Sequence, residues 1–584
     1  MGEQWDRLHG WLHSVAIVTF DLELGQVIES VYPGTEQHED ALSEQDKTNI
    51  CYLAFPDSNS GIMGDVQFHF RIRRSRPCFV PNSLNSQHTV YNAKCMPTLQ
   101  MDNNFLFGFA YFRQVKDATI RRGYYQKSVI LLTYLPLITL YTNLTNIVAR
   151  KYFESGDVSV EVACHDIDQW PAPTPGDHLT LPVLGSLLQL HLPHLNDQTS
   201  IQETVSWTGS GVSMSSVSSC TELFTVLSPL LEHLHTLWEL ALTAEPLVVQ
   251  AASPAQCSAL TQALTTIIHP LTFLADYRPF YTIHDTDFKE LTSSNSSALP
   301  SIILGVTNPF FNKVIVARLS QLCPLCIDPV FNYYSFQALQ HWPNLIRLTD
   351  PTTVSKSPVK SKPKMNSKFK NEHKPGVFTN SKPLLDKDKE IIKKVLKGVQ
   401  LKRPVEVQTA LLRRYFLELT QTFIIPLERY LASLMPLAKT ISPYRAPPKV
   451  RPFSCDDFIK SLEANGPQLT SRIKGDWAGL YKRFLKSPNF VGWFNARAKE
   501  MSAKLTLLHL ESLSEAKIVI WMEGKAEVEL VDMVLRIRNK LSEAKKDNLA
   551  LADIIIERLE GHVTTIVKTL PSDLQTVIAN NQPG

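Results

Sequence analysis

The sequence predicts a mixed α/β protein that ends in a long helical part. Three observations lead to this prediction. Residues 245–311 read as strand, helix and strand, residues 1–150 alternate strands with turns, and residues from 386 onward show helical periodicity. Two β-branched strands joined by a helix indicate a buried parallel sheet, whereas apolar residues in steps of three and four indicate amphipathic helices.

The first block is predicted to form a five-stranded sheet with flanking helices. Six runs are candidates for its strands, 13–21, 27–32, 50–55, 66–71, 105–112 and 129–135, and a helix follows from Leu137 to about Phe153. Leu24-Gly25-Gln26 predicts a turn between the first two strands, and Pro33-Gly34 ends the second. Residues 129–149 resemble a membrane span, but Pro136 and several Thr and Asn residues interrupt them. We therefore expect a strand and then a helix, and no transmembrane segment.

The centre of the chain is predicted to hold the parallel sheet. A proline-rich connector at Trp170–Gly176 and a Ser/Gly-rich loop at Ser206–Ser219 precede it, followed by a helical pattern over Glu222–Ala244. The two strands are Leu247–Ala251 and Ser301–Val306, and Ser253-Pro254 supplies the cap and first turn of the helix between them. Further strands are expected at 313–318 and 344–348.

The remaining chain divides into a linker and a helical part. Residues 351–385 are rich in Lys, Ser and Pro and poor in apolar side chains, which predicts a flexible linker. Helices are expected at 405–437, 526–545 and 549–570, with Pro426 kinking or dividing the first. The predicted domains are 1–220, 221–350, 351–385 and 386–584.

Composition limits the function classes. The chain has 584 residues, and 59 Lys and Arg residues against 56 Asp and Glu residues leave a net charge of +3. A dedicated nucleic-acid binder would carry a larger basic excess, so we expect no nucleic-acid partner. Nine cysteines, an odd number, and no secretory signal pattern predict reduced thiols in the cytoplasm.

Several motifs that carry chemistry are absent or incomplete. Gly524-Lys525 lacks the earlier glycine of a phosphate-binding loop, and Met214 replaces the third glycine of a dinucleotide fingerprint that Gly209-Ser210-Gly211 begins. Cys323 and Cys326 form a Cys-x-x-Cys pair without a second ligand pair nearby, so we interpret them as free thiols. The sequence predicts no catalytic residues, no metal site and no cofactor.

Two aromatic loops are the candidate partner-binding residues. They are Tyr277, Arg278, Phe280 and Tyr281 in one loop, and Asn308, Pro309, Phe310 and Phe311 in the other. Aromatic residues and Arg dominate the energetics of protein interfaces, which favours a partner contact. Aromatic residues also fill cores, and this alternative stays open.

A lysine-rich run is a candidate membrane contact. It contains Lys356, Lys360, Lys362, Lys364, Lys368, Lys370 and Lys374, with Glu372 as the acidic residue between them. Near an anionic lipid surface each lysine could contribute about 1 kcal/mol. A solvated tether is the alternative interpretation.

Several motifs in fixed order resemble one family. They are Trp11–Asp21, Gly25–Glu29, Tyr277–Tyr281, Pro300–Val306 and Pro488–Phe494. Each motif is loose by itself, but their order over nearly the whole chain is specific. The chain resembles the DENN-domain proteins and is most similar to the subgroup named DENN domain-containing protein 6.

The resemblance implies a bilobed fold and a regulatory activity. A longin-like N-terminal lobe, about residues 11–160, would join a Rossmann-like α/β lobe that is followed by helices. The implied activity is guanine-nucleotide exchange on a Rab small GTPase of the Rab fourteen type, by a cytoplasmic protein that lies peripherally on recycling endosomes. Mg²⁺ and GDP would belong to the Rab and not to this chain.

Two other functions stay open at this point. A GTPase-activating protein would need an exposed arginine that enters the active site of the GTPase, and Arg278 is the nearest candidate. A non-catalytic adaptor would bind the Rab in its GTP form rather than in its nucleotide-free form.

Overall fold

The structure is a computed structural model. It describes residues 5–34, 41–56, 64–75, 82–119, 123–195, 197, 203–208, 223–288, 300–308, 311, 343–348, 375–379, 381–446, 449–467, 473–546, 549, 551–572 and 574–576. The predicted mixed α/β class with a helical C-terminal part is confirmed. Two compact units are present: residues 1–420 with 469–489, and residues 421–468 with 490–584. None of the helices within these ranges combines the length and the apolar content that a bilayer crossing requires.

The first unit begins with an antiparallel five-stranded sheet. Its strands are β1 (Ser14–Asp21), β2 (Gly25–Tyr32), β3 (Gly64–Arg73), β4 (Phe105–Lys116) and β5 (Tyr124–Thr133), in the order β2-β1-β5-β4-β3. The accompanying helices are α1 (Asp6–His9), α2 (Glu44–Leu53), α3 (Asn82–Lys94), α4 (Ile138–Ser155) and α5 (Val158–Asp168). This arrangement matches the predicted sheet with flanking helices, and β3 forms one of its edges.

The prediction of a strand at 50–55 is wrong, because these residues lie in helix α2 and just after it. Ser43 accepts a hydrogen bond from the amide of Asp46 (3.1 Å), and the Asp46 carboxylate accepts one from the amide of Ser43 (3.3 Å). This reciprocal cap satisfies backbone groups that would otherwise lack partners at the start of the helix. A short apolar run fits a strand or a buried helix equally well, so the cap decides the structure.

A three-stranded antiparallel meander follows, which no sequence pattern predicted. It consists of β6 (His178–Val183), β7 (Ser186–His191) and β8 (Thr204–Thr208), so the predicted Ser/Gly-rich loop begins inside a strand. Leu184 and Gly185 connect β6 and β7 with positive φ angles of 46° and 75°. Two such residues are typical of the tight turn that joins antiparallel strands.

A buried carboxyl group caps the helix that follows the first sheet. Glu203, directly before β8, accepts a hydrogen bond from the Thr139 amide in the first turn of α4 (2.7 Å). Burial raises the pKa of Glu203 from 4.5 to about 7. Since the folded state holds this proton more tightly than the unfolded state, the associated stability is fully present below pH 4.5 and is lost as the pH rises through 7.

We therefore expect Glu203→Gln to stabilise the first unit at pH 8 and to have little effect near pH 4.5. The amide oxygen of Gln can still accept the Thr139 bond, and no buried charge forms. The pKa of Glu203 rises from 4.5 to about 7 and one pKa unit corresponds to about 1.4 kcal/mol, so the gain at pH 8 is on the order of 3 kcal/mol. Urea unfolding at the two pH values measures it. Glu154→Gln, at an exposed carboxyl group, is the control, and an equal gain at both pH values would contradict the assignment.

The second five-stranded sheet of the first unit is the predicted parallel sheet. Its strands are β9 (Leu247–Gln250), β10 (Asp276–Arg278), β11 (Ile302–Val306), β12 (Asn344–Arg347) and β13 (Gly376–Thr379), in the order β10-β11-β9-β12-β13. All neighbouring pairs are parallel except β12 with β13. The expected strand at 344–348 is confirmed, whereas the one at 313–318 lies outside the described residues. The prediction of a flexible linker over 351–385 is wrong near its C-terminal end, because strand β13 lies within this range.

Helices complete the first unit. They are α6 (Leu223–Leu227), α7 (Leu234–Leu242), α8 (Pro254–Thr266), α9 (Lys389–Gln400), the start of α10 (Val405–Leu434), and α12 (Trp477–Phe484). Ser253 caps α8 as predicted, by accepting a hydrogen bond from the Gln256 amide (3.3 Å). Asn489 is fully buried, and its side chain binds the carbonyls of Ala241 and Leu242 (3.0 Å each) at the end of α7.

The second unit is helical in the part that the structure describes. It contains the end of α10, then α11 (Cys455–Asn465), most of α13 (Pro488–Ser514), α14 (Ile518–Met522), α15 (Glu527–Lys546) and α16 (Asp553–Thr569). The helices predicted at 526–545 and 549–570 correspond to α15 and α16. Pro426 does not divide α10, which continues through it. Leu510, Val534 and Ile566 are among the residues of its apolar core.

Candidate partner-binding site at the junction of two sheets

Two edge strands of the first unit are joined by an ion pair between a buried arginine and a partly buried aspartate. Arg71 on β3 donates a hydrogen bond to the carboxylate of Asp276 on β10 (2.9 Å) and a longer one to the Tyr277 carbonyl (3.3 Å). Because β3 ends one sheet and β10 ends the other, this contact links the two sheets directly. Phe105 on β4 lies against the Arg71 guanidinium, 3.4 Å from its ring centroid. A cation over an aromatic face adds to such a contact.

Arg278 belongs to the same network. Its guanidinium binds Asp276 (3.0 Å) and Asp287 (3.0 Å), and only 3% of the residue is exposed. Burial by itself would lower its pKa, but the surrounding carboxylates, Asp276 first, raise the pKa of Arg278 above its ordinary value. Arg278 therefore stays charged and paired. It is not the exposed arginine that a GTPase-activating protein would require.

A second set of contacts joins helix α2 to the segment after β10. The Asn49 side chain donates to Thr286 Oγ1 (3.1 Å) and accepts from the Thr286 amide (3.3 Å). Tyr52 stacks on His284, with ring centroids 4.7 Å apart. The junction is thus held by ionic, amide and aromatic contacts within one unit. Because neighbouring contacts hold both sides, it can present side chains in a fixed geometry.

The predicted partner-binding aromatics are mainly core residues. Phe280, Tyr281 and Phe311 are 0%, 1% and 1% exposed, so the prediction that they meet a partner directly is corrected. Phe280 packs edge-on against Phe68 of β3, with centroids 5.3 Å apart. Large apolar rings at the ends of parallel strands are more stable in the core, because less of their surface contacts water there.

Tyr277 and Asn308 are the predicted residues that remain partly accessible. The Tyr277 ring lies 4.3 Å from the Arg71 guanidinium, and Asn308 lies two positions after the end of β11. Pro309, Phe310 and the lysine run Lys356–Lys374 lie outside the described residues, as do Cys323 and Cys326. Their predicted roles stay predictions.

The accessible part of the junction includes residues that sequence reasoning missed. Phe288 packs on Phe311 (6.1 Å between centroids), which brings the segment 282–288 beside the loop after β11. His284 is exposed and Asp287 is partly exposed on this segment. We call His284, Asp287 and Asn308 the junction surface. No sequence signal marks the first two, because their position depends on tertiary packing.

The junction also contains a carboxyl group with an altered pKa. Burial raises the pKa of Asp285 to about 6, and Arg278 acts in the opposite sense. Within the described ranges, no group of three or more His, Cys, Asp and Glu side chains is arranged to hold a metal ion. The junction surface offers polar groups for recognition: an imidazole, a carboxylate and an amide.

Comparisons with known proteins show the family to which this chain is similar. A family model described as "DENND6 C-terminal domain" matches residues 518–581, and one described as "Transport protein Avl9" matches residues 12–165. Protein DENND6A of Gallus gallus is 46% identical over 98% of this chain and 94% of its own length. Protein DENND6B of Homo sapiens is 44% identical over 98% of this chain and 94% of its own length. The DENND6 homolog of Dictyostelium discoideum is 31% identical over 91% of this chain and 77% of its own length. This chain belongs to the DENND6 family.

Proposed function

We propose that this chain is a DENN-type regulator that acts as a guanine-nucleotide exchange factor for a Rab GTPase. The observation that supports it is the junction surface, a polar face formed by the segments after β10 and β11, beside the ion pairs that join this sheet to β3 of the first sheet. Membership of the DENND6 family supports the class of partner. An exchange factor needs no nucleophile and no general base, since it acts by binding one state of the GTPase more tightly than the other.

Thermodynamic linkage describes the mechanism. If this chain binds the nucleotide-free Rab α-fold more tightly than the loaded form, GDP binds the complex α-fold more weakly. The bound surface must hold the switch segments of the Rab away from phosphate and Mg²⁺. We assign this contact to Asn308 and His284, which can donate and accept hydrogen bonds at the edge of a rigid junction. The GDP and Mg²⁺ are bound by the Rab.

The family resemblance supports a more specific proposal about partner and place. The partner would be a Rab of the Rab fourteen type, and the chain would act in the cytoplasm, peripherally on recycling endosomes. A panel of purified Rab proteins loaded with fluorescent GDP tests the partner, because the cognate Rab should release its nucleotide faster in the presence of this chain.

We expect the double variant His284→Ala with Asn308→Ala to lower the catalytic efficiency of GDP release by roughly tenfold or more. Two contacts of about 1 kcal/mol each account for a factor of that size. Both side chains are at least partly accessible, so the loss of the His284 stacking on Tyr52 should lower the melting temperature only slightly. Nucleotide release and thermal unfolding are measured on the same preparations.

Gln189→Ala is the matched control, because Gln189 is exposed on β7, in another sheet of the same unit. Unchanged GDP release in the double variant would contradict the assignment of the junction surface. Absence of GDP release with every Rab, together with capture of GTP-loaded Rab, would favour the adaptor function instead. Accelerated GTP hydrolysis would indicate a GTPase-activating protein.

A further inference from the structure

Helix α9 carries an exposed apolar stripe beside the face that it buries. The residues that face inwards are Ile391, Val395 and Gly398. On the neighbouring flank, Leu396 and Val399 are 46% and 48% exposed, and Ile392 is half-buried. These three residues stand at positions i, i+4 and i+7, so they line one side of the helix. Leu401, in the turn that follows, is 57% exposed.

Basic side chains surround this stripe. The exposed basic residues are Lys393, Lys394, Lys397, Lys402 and Arg403. Residues 391–403 contain no Asp or Glu, and the exposed acidic residues Glu390 and Glu406 lie outside this range, towards the two ends of the surface. Among the described ion pairs, none involves these five side chains. A helix with apolar residues on one flank and lysines beside them has the pattern of a segment that lies in a membrane interface. Lysine stems can extend over apolar surface while their charges reach lipid headgroups.

The turn that ends α9 is tightly closed, so the surface exists before any ligand binds. Gly398 approaches the buried Gln408 of α10 so closely that an added Cβ would lie 2.0 Å from Gln408 Nε2. The amides of Lys402 and Arg403 donate to the carbonyls of Val399 and Gly398 (3.0 Å each). A backbone that is already ordered does not add its own ordering cost to binding.

We propose that the α9 surface, residues 389–407, binds the anionic leaflet of a membrane peripherally. Charge complementarity selects an anionic surface, and the exposed Leu396, Val399 and Leu401 select a lipid surface over a soluble polyanion, which would need the charges alone. The proposal is independent of the action on a Rab, because the surface belongs to this chain by itself. The lysine run at 356–374 is not part of it.

The full chain is mixed with phosphatidylcholine vesicles, with or without about 30% phosphatidylserine, and sedimented. Binding is expected with the anionic vesicles, with little binding to phosphatidylcholine alone and a decrease as salt is added. Hydrogen exchange measured with and without anionic vesicles should slow at residues 389–407. Binding without anionic lipid, or no change in exchange at these residues, would overturn the proposal.

Two triple variants separate the two contributions. Leu396→Ser with Val399→Ser and Leu401→Ser removes the apolar stripe, and Lys393→Gln with Lys394→Gln and Lys397→Gln removes charge. Each is expected to weaken binding to anionic vesicles by roughly tenfold or more. All six side chains are exposed, so the thermal unfolding of the chain should stay unchanged.

Matched controls use exposed side chains elsewhere. They are Val519→Ser with Ile520→Ser and Val528→Ser for the apolar set, and Lys499→Gln with Lys504→Gln and Lys517→Gln for the basic set. Neither control should weaken binding, and an equal loss in a control would overturn the proposal. Loss in the Gln variant with full binding in the Ser variant would mean that charge alone holds the vesicle, and would overturn the role of the apolar stripe. Loss only on neutralising the run at 356–374 would move the membrane contact there.

Discussion

Replacing Asp276 by leucine is expected to destabilise the first unit by about 3 to 5 kcal/mol. Removing one partner of a buried ion pair leaves the other charge without compensation, and this effect is larger than the loss of the pair itself. Asp276 binds both Arg71 and Arg278, whose side chains are 9% and 4% exposed. Arg278 keeps Asp287. Among the described contacts, Arg71 keeps the weaker bond to the Tyr277 carbonyl and the rings of Phe105 and Tyr277 against its guanidinium, but no carboxylate. Urea unfolding, together with hydrogen exchange in β3 and β10, measures the change.

The double variant Arg71→Leu with Asp276→Leu tests this explanation. It removes the unpaired charge together with its partner, so it is expected to recover a substantial part of the lost stability. Glu418→Ala, which breaks the exposed Arg414–Glu418 pair in the same unit, should change stability by less than about 1 kcal/mol. If the double variant is less stable than Asp276→Leu alone, the buried charge is not the cause.

Gly305→Ala is expected to destabilise the first unit by at least about 3 kcal/mol. A Cβ at this position of β11 would lie 2.0 Å from the carbonyl oxygen of Pro279 and 3.0 Å from Thr261 Oγ1. The obstacle is backbone, and the Gly305 carbonyl also accepts a hydrogen bond from the Tyr281 amide (2.7 Å). The chain after β10 cannot withdraw without losing this bond, so the cost exceeds that of ordinary overpacking.

Gly34→Ala is the control for this change, because nothing lies within 4 Å of a Cβ built at Gly34. It is expected to change the free energy of unfolding by no more than about 0.5 kcal/mol. A loss below about 1 kcal/mol for Gly305→Ala would mean that the segment after β10 moves aside easily. The rigidity assigned to the junction would then be wrong.

Local patterns predicted elements where one chemical signal dominated. β-branched runs marked β9 and β11, Ser253-Pro254 marked the start of α8, and apolar steps of three and four marked α15 and α16. These patterns gave wrong predictions where the same pattern fits a strand and a helix. The run at 50–55 suits a strand, but the cap formed by Ser43 and Asp46 places its first residues in a helix.

The candidate site was predicted less well than the fold, because accessibility depends on packing between segments distant in sequence. Phe280 and Phe311 carry the residue type of an interface and yet fill the core. Arg71 and Asp276 lie 205 positions apart in the chain and become partners only when two sheet edges meet. No pattern in the neighbouring sequence indicates that His284 belongs to the candidate site.

Periodicity, turn residues and caps are properties of neighbouring residues, and they sufficed for the α/β class, the parallel pair β9 and β11, and the family resemblance. Which side chains are reachable is a property of the folded surface. Burial of Arg278 excluded its use as an exposed arginine, and the closed turn after α9 left an apolar and basic flank in solvent. Both outcomes depend on which surfaces the packed elements cover, and local sequence does not contain that information.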